Sequence, residues 1–253
     1  MKSPFIDIMN NSLSLVIPFY NEAGRLEKTF AALSKYINTN QFYSVEIIFV
    51  NDGSTDSTLA LLKRFVCRVP VRIISYTDNR GKGYAVRVGM RAATSQYALF
   101  LDADMSTDLS MIVRFQKAMQ QNEMVIIGTR KTHGSEIRKH QPWWREILGK
   151  GYTFLARIIL NSSVTDFTCG FKCFHRIARE AVFQRAFING WGYDAEILYL
   201  ADRLGFRIFE VPVIWTNDKR STVRIYRDIF QSFNDLLVIR FRHPFTAHKK
   251  SIN

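Results

Sequence analysis

YALFLDADMST, residues 97–107, is a run of five mostly apolar residues followed by two carboxylates one residue apart. The apolar part has the length and composition of a buried strand. Asp102 and Asp104 flank Ala103, and at a period of two their side chains leave the backbone on the same side if the strand continues. Like charges that close repel, so the pair either raises a pKa or shares a cation. A hard divalent ion held by one or two carboxylates plus substrate phosphates is the simplest arrangement. The plain alternative is a turn aspartate capping the helical pattern that starts near Thr107 or Asp108.

Working outward, similar runs recur: LSLVIP (13–18), VEIIFV (45–50), VRIIS (71–75) and MVIIG (124–128). Helical spacing fills the intervals. Leu26, Phe30, Leu33 and Ile37 share a stripe, as do Leu59, Leu62 and Phe65, then Ala85, Val88, Gly89 and Ala92, then Ile112, Phe115 and Met119. The β-α-β-α order predicts an α/β fold with a largely parallel sheet and helices on both faces. In such sheets ligands bind beyond the carboxyl ends of the strands, where the loops converge.

Composition bounds the partners. The chain has 253 residues and 47% hydrophobic content, enough for a substantial core, and reads as one large domain or a domain with a C-terminal appendage. Lys and Arg outnumber Asp and Glu 35 to 22, a net +13, which favours anionic partners: nucleotides, nucleic acid, phosphorylated substrates or an acidic membrane surface. Cys67, Cys169 and Cys173 form no even-numbered framework and no CxxC motif, so reduced thiols in a cytoplasmic protein are expected. Asp7, Asn10 and Asn11 interrupt what would be the apolar part of a signal peptide. No stretch approaches the roughly 18 uninterrupted apolar residues of a spanning helix, so membrane association is expected to be peripheral.

Polar loops follow four consecutive strands. They are PFYNEAGRLE with Asn21 and Glu22, NDGSTDST with Asp52, Ser54 and Asp56, DNRGKGYAVRVGM with Gly81 and Gly83, and the Asp102/Asp104 pair. Singly, each has an ordinary reading as a cap or tight turn. No GxxxxGK[ST] occurs, which excludes a Walker loop, and GKG without GxGxxG is weak evidence for a dinucleotide site. Together, four such loops at four strand ends form a much stronger signal.

VIPFYNE, VNDGSTDST, NRGKGYAVRVGM and LFLDADMST together resemble the family 2 inverting glycosyltransferases of the GT-A fold, a Rossmann-like, mostly parallel sheet with helices on both faces. The resemblance continues through IIGTR (126–130), VTDFTCGFKCFHR (164–176) and WGYDAEILYLADRLGFRIFEVPVIW (191–215). The later segments are most similar to the dolichyl-phosphate or polyprenyl-phosphate glucosyl- and mannosyltransferases, leaning to the glucosyl type. This resemblance implies a nucleotide sugar, UDP-glucose or GDP-mannose, lying across the loops. Pro18, Tyr20, Glu22 and Asp52 would line the base and ribose pocket, with Gly81 in the nucleotide-sugar loop and Asp102 near ribose and metal. Asp104 would be the main ligand of a Mg or Mn cation, whose charge offsets that developing on the diphosphate. Related mannosyltransferases often have Gln two residues after the second Asp, where this chain has Ser106.

A phosphate monoester acceptor is already largely ionised at neutral pH and needs no dedicated base, whereas a sugar hydroxyl does. What a phosphate acceptor needs is cations, and GTRKTHGSEIRKHQPWWREILGK supplies Arg130, Lys131, Arg138, Lys139, Arg145 and Lys150. By family position Arg130 and Arg145 are the phosphate candidates. Lys150 joins them because Gly149 stands where relatives often carry Ser. The ordinary reading of the segment is a solvated basic loop. Asp166, Asp194 and Glu196 would lie on the acceptor side, Asp194 or Glu196 being the base if one is required; beside a phosphate acceptor they would orient basic residues instead. His133 and His140 receive no role.

Residues 1–223 thus read as the catalytic domain and 224–253 as a basic amphipathic helix and tail. There Tyr226, Ile229, Phe230, Phe233, Leu236 and Leu237 share a stripe beside Arg224, Arg227, Arg240 and Arg242. Such a stripe packs on a core or lies on an anionic membrane. The expectation is an inverting hexosyltransferase forming a β-linked sugar on a polyprenyl or dolichyl phosphate at the cytoplasmic face of a membrane. The competing readings are a transferase acting on a sugar hydroxyl and a basic nucleic-acid-binding module. No RNP, KH or zinc-finger pattern supports the module, so no nucleic-acid partner is expected.

Overall fold

The computed structural model describes residues 12–39, 44–218 and 225–243. In chain order the strands are β1 (Ser12–Phe19), β2 (Ser44–Asp52), β3 (Val71–Tyr76), β4 (Tyr97–Leu101), β5 (Val125–Thr129), β6 (Glu136–Lys139), β7 (Phe171–His175), β8 (Ile208–Pro212) and β9 (Ile214–Thr216). The helices are α1 (Leu26–Thr39), α2 (Thr58–Leu62), α3 (Lys82–Ala92), α4 (Ile112–Gln120), α5 (Trp143–Leu160), α6 (Arg176–Arg185), α7 (Tyr193–Arg203) and α8 (Ile225–Arg242).

A seven-stranded sheet has the order β3-β2-β1-β4-β7-β5-β8. All its pairings are parallel except those of β7, which runs antiparallel between β4 and β5. The residue patterns explain why. Along β1, Leu13, Leu15, Ile17 and Phe19 enter the core layer shared with α1 and α4, while Val16 enters the opposite layer, under α3 and α6–α8. A strand buried on both faces reads as the unbroken apolar run seen in the sequence. Pro18 lies beyond the last β1–β4 partner pair, Val16 with Phe100, so its missing N–H breaks no bond to β4.

Periodicity did not single out β7, because FKCFH carries a lysine. Lys172 is nonetheless fully buried: its ammonium donates to the Cys169 carbonyl at 2.7 Å and pairs with Asp194. The basic segment after β5, whose ordinary reading is a solvated loop, contains β6, paired parallel with β9, and then enters α5. Cys169 and Cys173 are buried free thiols and Cys67 is a partly buried one.

At the C-terminus α8 packs against α5 and α7. Its Leu236 and Ile239 are fully buried in the same core layer as Val16 and Phe100, whereas Leu237 is half-exposed. Arg224 and residues 244–253 lie outside the described residues, as do the side chains of Tyr226, Arg227, Ile229 and Phe230. No described helix is long and apolar enough to cross a membrane.

Candidate active site

The loops after β1, β2, β3, β4 and β5, and the turn leading into antiparallel β7, all lie at one edge of the sheet. Strand β4 stops at Leu101, so the two aspartates project from a turn rather than from a continuing strand. The Asp102 N–H donates to the Gly170 carbonyl at 3.2 Å, the Met105 N–H closes the turn onto the Asp102 carbonyl at 3.1 Å, and Met105 takes a left-handed φ of 53°. Helix α1 braces the turn: Thr29 donates to the Ala103 carbonyl at 2.7 Å and Lys28 to the Asp104 carbonyl at 2.9 Å. One Asp104 oxygen accepts the Ser106 N–H at 2.8 Å, closing a local turn that precedes the helix and does not cap it. Asp108, not Asp102 or Asp104, caps the short helix beginning at Leu109.

The two carboxylates differ in electrostatics. Burial, with the neighbouring charge of Asp102 adding to it, raises the Asp104 carboxyl above its ordinary range. Asp102 is compensated by Lys82, whose Nζ lies 2.6 Å from Oδ1. The lysine sits 4.9 Å above the Trp191 ring, and the charges of Asp102 and Asp194 raise its pKa against the effect of burial. Glycine at position 170 leaves the room Asp102 occupies: a Cβ there would stand 2.1 Å from Oδ2. These features suit a divalent cation. The donors are all oxygen, they stand beside each other, and the Asp102–Asp104 repulsion would be relieved by positive charge between them.

The remaining donor-side candidates form a sewn rim. Asn21, in a left-handed conformation, accepts from Thr55 N–H at 2.8 Å and donates its own N–H to Ser54, while Glu22 N–H donates to Thr58. Ser54 and Asp56 are thereby consumed in holding the first two loops together. Tyr20 is 42% exposed on this rim, and Pro18 is buried beneath it. Glu22 pairs with Arg25 at 3.2 Å, yet burial raises its carboxyl to about 7, with the charge of Asp104 contributing.

Asp52 and Gly81 prove to be one structural unit. The buried Asp52 carboxylate accepts the N–H groups of Arg80 at 2.8 Å and Gly81 at 3.0 Å and the side-chain amide of Asn79 at 2.9 Å. Gly81 has φ +96°, and a Cβ there would stand 2.5 Å from the Asn189 carbonyl. The loop 188–190 packs directly on the start of α3, and this fixes where Lys82 points.

On the other flank, Arg130 is locked onto buried Asp166 through Nε at 2.7 Å and Nη2 at 2.8 Å, with Nη2 also reaching Thr168 at 2.8 Å. Burial alone would raise Asp166, but the Arg130 guanidinium holds its carboxyl well below the usual range. Among the described residues Nη1 has no hydrogen-bond partner, and the guanidinium stacks 5.2 Å from the Trp215 ring. Arg145, near the start of α5, stacks 5.1 Å from the Trp144 ring, and among the described residues its buried Nε has no hydrogen-bond partner. Lys150 is exposed on α5, and no described contact ties it to the carboxylates. Asp194 is buried against Lys172; burial raises its carboxyl despite the charges of Lys172 and Lys82. Glu196 accepts the Phe187 and Ile188 N–H groups and reaches His243 at 3.1 Å. Sequence reasoning passed over Lys82, Lys172 and Trp191. The signal for Lys82 was present in GKG, a cation placed between two close-approach glycines.

A mostly parallel α/β sheet with a carboxylate pair at the end of its central strand has the architecture in which ligands bind beyond the strand ends. The sequence profile of glycosyl transferase family 2 matches residues 14–183, and the chain belongs to that family. It is 32% identical to a dolichyl-phosphate beta-glucosyltransferase of Dictyostelium discoideum, over 93% of this chain and 76% of that protein. It is 30% identical to the human protein of the same name, over 94% and 77%. Among solved structures it resembles glucosyl-3-phosphoglycerate synthase from Mycobacterium tuberculosis in complex with Mn2+, UDP and glucosyl-3-phosphoglycerate, with TM-score 0.68 and 18% identity, covering 97% of this chain and 87% of that one. This last likeness is one of fold, and it agrees with the GT-A expectation.

Proposed function

We propose that the protein transfers glucose from UDP-glucose to the phosphate of a dolichyl or polyprenyl lipid, inverting the anomeric centre to give a β-linked product. The observation that carries this reading is the state of the acids on the acceptor side. Asp166 is held by Arg130, Asp194 by Lys172, and Glu196 by two backbone amides and His243. None of the three stands free to deprotonate a hydroxyl, so an acceptor that arrives ionised fits best. Arg145 and the Arg130 guanidinium supply charge for it. Similarity to the dolichyl-phosphate beta-glucosyltransferases over more than nine-tenths of the chain supports the same acceptor class and sugar.

Asp102 and Asp104 would hold a Mg or Mn cation. Among the described residues no group of three or more His, Cys, Asp or Glu side chains could hold a metal, so its other ligands would come from diphosphate and solvent oxygens. Bound there, the cation would offset the charge that develops on the departing nucleoside diphosphate. Lys82, beside Asp102, would address the same diphosphate, while the Glu22 and Tyr20 rim would receive the nucleoside.

The deciding experiment incubates the purified protein with Mg2+ or Mn2+, a short polyprenyl phosphate and, separately, UDP-glucose, GDP-mannose and UDP-N-acetylglucosamine. Mass spectrometry and NMR then identify the product. A β-glucosyl lipid phosphate is expected with UDP-glucose. An α-linked product would exclude single displacement, and transfer to a sugar hydroxyl but to no lipid phosphate would overturn the acceptor.

A further inference from the structure

Glu196 lies fully buried in the first turn of α7, and both of its oxygens are spent on the loop before that helix. They accept the Phe187 N–H at 3.0 Å and the Ile188 N–H at 2.9 Å. His243, at the end of α8, closes the clamp: its Nε2 stands 3.1 Å from Oε1, and its ring lies 5.1 Å from the Phe187 ring. The far half of the same loop bears on the start of α3. The Asn189 carbonyl accepts the Gly83 N–H at 2.8 Å, and the Asn189 side-chain oxygen accepts from Arg87 Nη2 at 2.8 Å. A Cβ at Gly83 would stand 2.5 Å from the Ile188 carbonyl oxygen, so loop and helix meet backbone to backbone. Two residues beyond Asn189, the Trp191 ring lies 4.9 Å from Lys82 Nζ.

We propose that Glu196, clamped by His243, is a positioning residue: it fixes where loop 187–191 sits against α3 and, through Asn189 and Trp191, where Lys82 holds its charge. A lysine stem is long and flexible, so its direction must come from neighbours. Here the root of Lys82 is set by the Asn189 contact with Gly83, and its head lies between the Trp191 ring and Asp102. A cation aimed at developing charge acts best when already in place, because nothing then reorganises as the charge appears. Removing the acceptor at 196 would strip two backbone N–H groups of their partner, and the loop would shift to satisfy them.

The inference rests on the reading that Lys82 addresses the nucleoside diphosphate. Two other roles for Glu196 predict different behaviour. A general base would be needed for transfer and not for nucleotide binding, and its amide would be as inactive as an apolar residue. A purely structural acid would damage the fold without regard to Lys82. The clamp also gives the end of α8 a route to the donor side of the site, since His243 and Phe187 touch each other and Glu196 touches both.

The test is titration calorimetry with UDP and Mg2+ on the wild type, Lys82→Met, Glu196→Leu and the double variant, with Glu196→Gln as the conservative change. Lys82→Met and Glu196→Leu should each weaken UDP binding about tenfold, and Glu196→Leu should add less than about twofold once residue 82 is methionine, because its effect runs through Lys82. Glu196→Gln keeps an acceptor oxygen for the two N–H groups and should bind UDP within about threefold of wild type. In transfer assays Glu196→Leu should lower kcat about tenfold and leave the KM for lipid phosphate within about twofold. Equal losses from Glu196→Leu with and without Lys82 would mean general damage and overturn the proposal. UDP binding intact in Glu196→Leu and Glu196→Gln, with transfer lost in both, would make Glu196 a base and overturn it as well. Should Glu196→Leu fail to fold, His243→Ala takes its place in the cycle and should weaken UDP binding about threefold, again only while Lys82 is present. Unchanged binding there would also overturn the proposal. Lys82→Met binding UDP like the wild type would remove Lys82 from the diphosphate, and the positioning role with it. The expected UDP cycle, with no transfer to any lipid phosphate, would leave the positioning role standing and remove only the acceptor assignment.

Discussion

Asp104 is under tension from two sources, burial and the charge of Asp102, and both raise its carboxyl pKa. Asp104→Asn keeps the shape and the Ser106 cap while removing the charge a cation needs. Turnover should therefore fall by at least ~10³-fold, several kcal/mol of lost charge stabilisation, while the melting temperature in chelator is no lower than wild type. Full wild-type activity in excess chelator would remove the cation from the reaction. Glu22 offers a pH readout of the same neighbourhood. Its carboxyl is raised from an ordinary 4.5 to about 7, so between those values the folded state holds a proton that the unfolded state has released. Stability of the metal-free protein should accordingly fall as pH rises through this window, and Glu22→Gln should flatten that slope in melting temperature against pH. Arg145, whose Nε has no hydrogen-bond partner among the described residues, separates the substrates: Arg145→Ala should raise the KM for lipid phosphate at least tenfold, from a loss of about 1.5–3 kcal/mol, with little change for the nucleotide sugar. Arg130→Ala is the poorer probe, because it also strands buried Asp166.

At the scale of elements, the antiparallel strand β7 is the departure from a simple alternating fold, and its position depends on the Lys172–Asp194 pair joining it to α7. Removing one partner leaves a buried charge. Lys172→Met or Asp194→Leu alone should each cost about 3–5 kcal/mol in urea denaturation, and the double variant should recover much of that loss. Additive losses would mean that the two side chains do not compensate each other. Function should respond differently, because Lys82 is also influenced by the charge of Asp194. Even a double variant restored in stability should retain a defect in turnover. The next loop transmits this arrangement: Trp191 lies under Lys82, and residues 188–190 lie against Gly81 and Gly83.

For the whole molecule, α8 contributes side chains to one of the two core layers. Leu236 and Ile239 are fully buried among residues of α7 and the central strands, and a Cβ at Gly192 would stand 2.4 Å from Asp235 Oδ2, so α8 also presses on the loop that carries Trp191. Leu236→Ala should cost about 2–5 kcal/mol, and removal of residues 225–253 should give insoluble protein. A soluble, active truncated protein would show that the helix is dispensable. Circular dichroism and tryptophan fluorescence of the wild type should report coincident urea transitions, since one sheet carries both core layers.

The sequence by itself determined the strands β1–β5, the helices between them and the carboxylate pair beyond β4. Burial on both faces forces long apolar runs, and turns at the active edge demand Asn, Asp and Gly, so both leave a local record. It also presented Arg130, Arg145 and Asp194 as candidates, through motif resemblance rather than periodicity. Only the tertiary structure decided what those groups touch. Nothing local tells that Lys172 is buried against Asp194, or that the Asp52 carboxylate takes the amides of Arg80 and Gly81. Lys82 reads as a loop cation until it meets Asp102, and α5 reads as a solvated basic loop until its covered face shows which face is left open. Each of these depends on a partner distant in the chain, and local pattern carries no information about which distant group will satisfy a charge or cover an apolar face.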